Sequence, residues 1–505
     1  MIKFWIQSDK IRNRVYLPKY YDPVISVRLD ELAATHDCIR IGDLIASGTI
    51  SAATGDEIGK AAYGTGDIPF VRTSDIVNWE IKTAPKQGVS QEIYDDYAQC
   101  QDVQEGDILL VRDGTYLIGA NCFVTKFDKQ LLYQSHLLKL RVNHKDVLDP
   151  RLLFLSLNCR AVQRQMRSFQ FTADIIDTIG KRFFDTILPI PKDQTIRQRL
   201  TARVDLALKA RMKGKAFIKH CPVMMEEVLR TGSTDPLAMF AAASEDEICS
   251  IVQQETVSSE FGGFEHFWLY SDEIRNSILV PRYYDPSIRK ELAGLEPHCD
   301  LCTFGELREA NVVAYNTGDE IGKMAYGTGS IPFIRTSDFA NWEIKHDPKQ
   351  GVSQEIYNEY RAQEDVREHD IFLVRDGTYL VGSCCIVTKD DAKCLFCGGM
   401  FKIRAMDSDR LDPFLMLGLL NSWIVKRQIR TKQFTRDVID TIGNRIDEVV
   451  LPIPKNPATR KAISAAVRQV IESRIEARQN ISMLAAELDR SETQTTQPQL
   501  ASKLT

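Results

Sequence analysis

Two short patterns in the sequence have the residue types of a metal-dependent nuclease. Asp75 is followed by Glu80-Ile81-Lys82, and Asp338 by Glu343-Ile344-Lys345. Two carboxylates can hold Mg²⁺, and a nearby lysine can stabilise the charge that develops as a phosphodiester breaks. The spacing argues against this chemistry. Only four residues separate the carboxylates, on what reads as strand, turn and strand, whereas a metal-binding pair is normally drawn from separate strands.

A second chemistry, contact with nucleic acid, fits more of the chain. Arg72 in FVRTSD and Arg335 in FIRTSD carry the planar donor fork that suits guanine O6/N7 or a phosphate. Thr73, Ser74, Thr336 and Ser337 add hydroxyls beside them, and Asn78 and Asn341 follow closely. The competing reading is that Arg72 pairs with Asp75 and braces a turn, since RTSD also suits a local Asx-type turn. Arg112 and Thr115 in VRDGT, with Arg375 and Thr378, divide between the same two readings. Lys60, Tyr63, Lys323 and Tyr326 lie in glycine-bounded GK-x-AYGTG segments, where a cation and a ring can approach a phosphate backbone closely. Gln170, Thr172, Gln433 and Thr435 follow a basic helical stretch, and glutamine can hold adenine through N6 and N7.

These residues come in pairs because the chain is written twice. YYDP at 20–23 returns at 283–286, an offset of 263. The same offset carries TGDEIGK from Thr54 to Thr317, PKQGVSQEIY from Pro85 to Pro348, VRDGTYL from Val111 to Val374, IDTIG from Ile176 to Ile439 and LPIPK from Leu188 to Leu451. A repeat of that length is a whole domain rather than a solenoid unit. It also bears on two C-x-x-C pairs, Cys299/Cys302 and Cys394/Cys397, whose spacing could grip zinc. The matching positions in the first copy are His36, Ile39, Leu131 and Gln134, so that copy folds without such a metal, and thiols in the core are the preferred reading.

The elements that must position these residues are short β-rich runs (IPFVRTSD, DILLVRDG, CFVTK) separated by Gly, Asp, Asn and Pro, with a helix over 149–168. The expected class is α+β. After each LPIPK the pattern becomes a long amphipathic helix. Leu200, Val204 and Leu208 recur every fourth residue in one, and Val467, Ile471 and Ile475 in the other. Each stripe needs a partner, which points to an antiparallel, coiled-coil-like pair that also offers a surface to other proteins; the alternative is that each helix caps its own domain. The expected division is domain 1 over 1–192, a long helix over 193–230, connector 231–265, domain 2 over 266–455, a long helix over 456–490 and a disordered tail over 491–505.

This order of elements resembles the specificity (S) subunit of type I restriction-modification enzymes. The resemblance rests on YYDP near the start of each copy, G-x-IPF-x-RTSD (66–75 and 329–338), GDILLVRDGTYLIG (106–119) with its counterpart HDIFLVRDGTYLVG, and the LPIPK before each long helix. It covers nearly the whole chain. It implies two target-recognition domains related by a pseudo-twofold axis, no catalytic activity, and no cofactor in the chain itself. It further implies double-stranded DNA as ligand and two methyltransferase (M) subunits that use S-adenosylmethionine to methylate adenine N6, with a motor-nuclease (R) subunit as a further partner. In keeping with this, no N/D-P-P-Y/F motif and no glycine-rich methyl-donor loop occurs. A nuclease, and a stand-alone DNA-binding regulator or anti-restriction decoy, remain the alternatives. The two copies are unusually alike, so similar, inverted half-sites are expected, diverging where Gln134-Ser135-His136 faces Cys397-Gly398-Gly399 and Ala173 faces Arg436.

Size and composition set the frame. The 505 residues are 44% hydrophobic and 26% charged, which suits several globular domains. A net charge of -5 speaks against coating nucleic acid by electrostatics alone. No apolar run reaches the ~20 residues of a membrane span, and the start MIKFWIQSDK lacks a secretory signal, so a cytoplasmic location and twelve free thiols are expected.

Overall fold

The computed structural model describes residues 4–11, 15–114, 116–128, 130–173, 176–253, 267–275, 277–377, 379–436 and 439–490. The chain divides into two units, Met1–Ala210 with Glu476–Thr505, and Arg211–Ile475. Each unit therefore takes part of each long helix.

The first unit opens with α1 (Pro23–Leu32), whose start is dictated by Asp22-Pro23. Asp22 caps the helix by accepting from the Val24 amide at 3.0 Å, and it also pairs with Arg164 at 2.7 Å. Asp22→Ala should therefore cost about 1 to 2 kcal/mol, read as a lower melting temperature at unchanged fold. There follow β1 (His36–Arg40), α2 (Ile41–Ala46), β2 (Ile50–Thr54), β3 (Ile68–Val71), β4 (Ile76–Val77), β5 (Glu80–Ile81) and β6 (Gly88–Val89). Helix α3 (Gln91–Gln101) is capped by Ser90 and stops at Asp102, which turns left-handed at φ 37°. The buried Lys139 amine then donates to the carbonyls of Gln101 and Asp102 at the end of that helix, where a cation is favoured.

Strands β7 (Ile108–Val111), β8 (Asn121–Phe123), β9 (Leu132–Tyr133) and β10 (Leu137–Val142) complete the main sheets. One is four-stranded and antiparallel in the order β2-β10-β7-β8; the other runs β6-β3-β9, with β3 and β9 parallel. The helix expected over 149–168 is two helices, α4 (Pro150–Asn158) and α5 (Arg160–Ser168). Cys159 between them is extended, at φ -70° and ψ 152°, and the first amides of α5 are capped by the Asp489 carboxylate, with Ala161 N at 2.9 Å. A cap from 328 residues away leaves no local trace in the sequence. The hairpin β11 (Phe171–Ala173) and β12 (Ile176–Thr178) precedes β13 (Ile187–Pro191), which pairs with β1.

Helix α6 spans Gln194–Thr231 and the C-terminal helix spans Pro457–Leu488. In the first unit Leu200, Val204 and Leu208 of α6 join Ile481, Leu484 and Leu488 in the main core, along with Phe154 and Phe183. In the second unit Val467 and Ile471 are buried, and Gly418 is packed so closely that an added Cβ would lie 3.3 Å from Val467 and 3.6 Å from Met225 of α6. These five side chains, expected to serve partner proteins, are core residues with no surface left to offer. Ile475 is half-buried. The segment expected as a connector carries helices α7 (Asp235–Ala242) and α8 (Glu245–Gln253); residues 254–265 and the tail from 491 lie outside the described residues.

The second unit repeats the elements of the first 263 residues later. Cys299–Thr303 pairs with Val450–Pro454 as β1 pairs with β13, and Val313–Thr317, Met400–Ala405, Ile371–Val374 and Cys384–Ile386 form its four-stranded sheet. Among the described residues no helix is long and apolar enough to cross a membrane.

Candidate functional site

The topology of the first unit brings several strand ends together. Parallel β3 and β9 end at Val71 and Tyr133, so that the Gln134 amide donates to Val71 O at 3.0 Å. Antiparallel β7 ends where β10 begins, and the Arg112 amide donates to His136 O at 3.0 Å. Asp113 then bridges to Thr178 at the end of β12. Arg72, Arg112, His136 and Thr178, far apart in sequence, thus emerge at neighbouring strand ends.

Asp113 organises this end. Its carboxylate accepts from Arg112 through Nη2 at 3.0 Å, from Thr178 Oγ1 at 2.5 Å, and lies 3.0 Å from His136 Nδ1. Burial pushes the Asp113 carboxyl up, but hydrogen bonds from Arg112, Thr178 and His136 outweigh it and hold it below the usual carboxylate range. The second unit keeps Arg375 on Asp376 at 2.8 Å, and the Asp376–Thr441 bridge, but has Gly399 in place of the imidazole.

The competing turn-brace reading of Arg72 holds in part. Asp75 accepts from the Arg72 amide at 3.0 Å and forms the 3-10 turn Thr73–Asp75, and Arg72 Nε lies 3.7 Å from the same carboxylate. Arg335 and Asp338 repeat this, with Nε donating at 3.4 Å. No hydrogen bond from an Nη nitrogen of either arginine is made among the described residues; Arg335 is anchored through Nε, whereas Arg72 Nε is buried without a hydrogen-bond partner and meets Asp75 only as an ion pair. Ser74 is exposed; Thr73, Thr336 and Ser337 are half-buried.

Other expected contacts are placed elsewhere. Asn78 and Asn341 are buried at left-handed φ of 49° and 51°, each forming with the following tryptophan a tight turn between two short strands. Gln170 donates to Asp177 at 2.6 Å, while buried Gln433 donates to Asp440 at 2.7 Å and Thr435 Oγ1 donates to the same carboxylate at 2.5 Å. Hydrogen bonds from Thr435 and Gln433 hold the Asp440 carboxyl low. These glutamines lock their hairpins, and the bidentate adenine contact expected of them would break that lock. Lys60 and Lys323 are exposed on 3-10 turns (Lys60–Ala62 and Lys323–Ala325) that follow left-handed glycines, Gly59 at φ 77° and Gly322 at φ 75°. Tyr63 and Tyr326 are half-buried, their rings 5.5 and 5.4 Å from Phe70 and Phe333. Thr115 and Thr378 lie outside the described residues, as does the side chain of Thr172.

The nuclease-like carboxylates lie in the core. Asp75, Asp338, Glu80 and Glu343 are all buried, Lys345 Nζ lies 3.9 Å from Asp338, and Glu343 accepts from Arg211 at 3.0 Å and Arg474 at 2.6 Å. Among the described residues no group of three or more His, Cys, Asp or Glu is gathered to hold a metal ion. Cys299 and Cys394 are buried thiols, pushed up by desolvation.

His136 and Thr178 are the members of the strand-end cluster that pattern reading did not single out as contacts. Only the position of His136 in a stretch that differs between the copies pointed towards it.

No family model and no curated protein matches the chain. Solved structures do. The S subunit of a type I restriction-modification system from M. genitalium is 10% identical, with 90% of this chain and 95% of that chain covered and a TM-score of 0.32. A chain from a structure of complex assembly and conformational transition in the type I R-M system is 14% identical, covering 90% and 98%, at a TM-score of 0.27. The HsdS subunit from Thermoanaerobacter tengcongensis is 14% identical, covering 90% and 95%, at the same TM-score of 0.27. The chain resembles the S subunits of type I restriction-modification systems.

Proposed function

We propose that this chain is a non-catalytic DNA-specificity subunit that reads a bipartite, nearly palindromic duplex with two target-recognition domains. It positions M subunits that methylate adenine N6 with S-adenosylmethionine, and an R subunit as a further partner. The supporting observation is the strand-end cluster, made once in each unit from arginines whose guanidinium tips are free or exchangeable, beside hydroxyls. Arginine forks beside hydroxyls on a rigid sheet suit base edges and phosphates together. Burial of the Asp75/Glu80 and Asp338/Glu343 pairs speaks for leaving cleavage to a partner.

The test is selection of duplexes from a randomised pool by the purified chain, followed by co-purification with a methyltransferase on co-expression. A bipartite motif and a bound methyltransferase are expected; neither would appear if the reading were wrong. Within that assay Arg72→Ala or Arg335→Ala should cost about 1 to 3 kcal/mol and relax one half-site, because the free Nη tips reach bases. Lys60→Ala should weaken all sequences alike and lower the salt slope by about one, as loss of a phosphate contact does. Equal loss on every duplex for Arg72→Ala would reassign Arg72 to the backbone.

A further inference from the structure

Among the described residues the two units differ in the strand-end cluster where Gln134-Ser135-His136 is replaced by Cys397-Gly398-Gly399, and at His136 the difference is chemical. In the first unit His136 stands beside Arg112, with Nδ1 3.0 Å from the Asp113 carboxylate and its side chain 37% exposed. A carboxylate only accepts, so Nδ1 carries the hydrogen and the ring is held in one orientation. Nε2 is then the nitrogen left for a ligand, and in the neutral ring it is an acceptor. Ser135 beside it is tied to Glu57 by a hydrogen bond from its hydroxyl, which stiffens the approach to β10.

In the second unit the same two positions are Gly398 and Gly399. An added Cβ at Gly399 would lie 3.3 Å from Thr336 Cγ2 and 3.8 Å from Asp376 Cβ, so a side chain at this position sits between the Arg335-Thr336 turn and the Arg375-Asp376 turn. Position 399 is therefore inside the cluster. Without the imidazole, Asp376 is 25% exposed where Asp113 is 9% exposed.

We propose that His136 is a specificity-determining residue of the first unit, accepting through Nε2 from an exocyclic amino group, adenine N6 or cytosine N4, in the major groove. The second unit has no side chain for this step, so the two half-sites, otherwise alike, differ by one read base pair. The inference rests on the DNA-reading function proposed above and deepens it. The amino-group assignment follows from donor and acceptor logic: an Nε2 acceptor matches those two base edges and is repelled by the acceptor pair N7 and O6 of guanine.

Randomised-duplex selection with the full chain tests it. Wild-type protein should return two similar half-sites, one of which discriminates at an additional A or C position. His136→Gly should lose that discrimination by about tenfold or more, leaving the rest of the motif in place. Gly399→His is the converse, at a backbone position that is not left-handed and accepts a side chain after a small shift of Thr336. It should add the same preference to the other half-site, and it tests the idea even if His136→Gly fails to fold. Unchanged motifs in folded His136→Gly and in Gly399→His would overturn the inference while the DNA-reading function stood. Absence of any motif for the wild-type chain would overturn that function itself.

Discussion

Replacing Glu364 by glutamine should stabilise the second unit by up to about 4 kcal/mol near neutral pH and flatten its pH dependence. Glu364 is fully buried at the end of the helix Gln354–Glu364, and desolvation pushes its carboxyl up to about 8. Its two oxygens accept from the amides of Asp319 at 3.2 Å and Phe396 at 2.9 Å. The first unit shows the alternative, because the corresponding residue is Gln101. There the amide oxygen accepts from Tyr133 N at 2.8 Å, and the amide nitrogen donates to Asp56 Oδ2 at 2.9 Å and to Tyr133 O at 3.0 Å. The second unit lacks that donor. Gln363 reaches Asp319 Oδ1 at 2.9 Å, and Asp319 Oδ2 is buried with no hydrogen-bond partner among the described residues.

The sign follows from where the proton is held. Unfolded Glu364 ionises near its ordinary 4.5, whereas the native carboxyl keeps its proton to about 8. Between these values the native state binds more protons, so this group's contribution to stability falls as pH rises through the window and levels off above it. Glutamine supplies a permanent donor and does not titrate. At about pH 4 the two proteins should melt alike, and by about pH 8 Glu364→Gln should be the more stable. A calorimetric pH series decides this; parallel curves for the two proteins would show that the native carboxyl is ionised throughout.

What was legible in the sequence was what a local pattern can carry. The offset of 263 set out the duplicated elements, and the four-residue stripe placed both long helices to within a residue or two of Gln194–Thr231 and Pro457–Leu488. RTSD was readable as a turn because the Asp75 side chain and the Arg72 amide it binds are three residues apart. Contacts between distant segments were not legible. Nothing near Cys159 announces that Asp489 will cap α5, and nothing near Gln433 announces that its amide is spent on Asp440 across a hairpin. The apolar stripe identified Leu200 and Val204 as needing a partner helix in the same chain but could not say that Phe154 and Phe183 would share the same core. Likewise Asp338 and Glu343 had the residue types of a metal site, and only burial beside Lys345, Arg211 and Arg474 shows that their charge is already taken.

Arg474 sets up the other large effect. It is fully buried, and its guanidinium shares Glu343 with Arg211, at 2.6 and 3.0 Å. The two arginines also donate to each other's carbonyl oxygens, Arg211 to Arg474 O at 3.5 Å and Arg474 to Arg211 O at 3.3 Å. Glu343→Ala removes a buried carboxylate shared by two buried cations and should destabilise the second unit by about 3 to 5 kcal/mol. The space for this triad comes from Gly214 in α6, where an added Cβ would lie 2.8 Å from both Cγ and Cδ of Arg474. The matching residue of the second copy is Ala477, so the helix itself does not require glycine there. Two effects then oppose each other in Gly214→Ala. Helix propensity favours alanine by about 1 kcal/mol, while displacing a fully buried arginine stem costs about 1 to 3 kcal/mol and strains its bonds to Glu343. The clash should win, and Gly214→Ala should lower the melting temperature. With the stem removed in an Arg474→Ala background the clash vanishes, and Gly214→Ala should there raise the melting temperature relative to Arg474→Ala alone. A change of sign between the two backgrounds is the signature of the packing; the same sign in both would mean that Gly214 is not there to make room for Arg474.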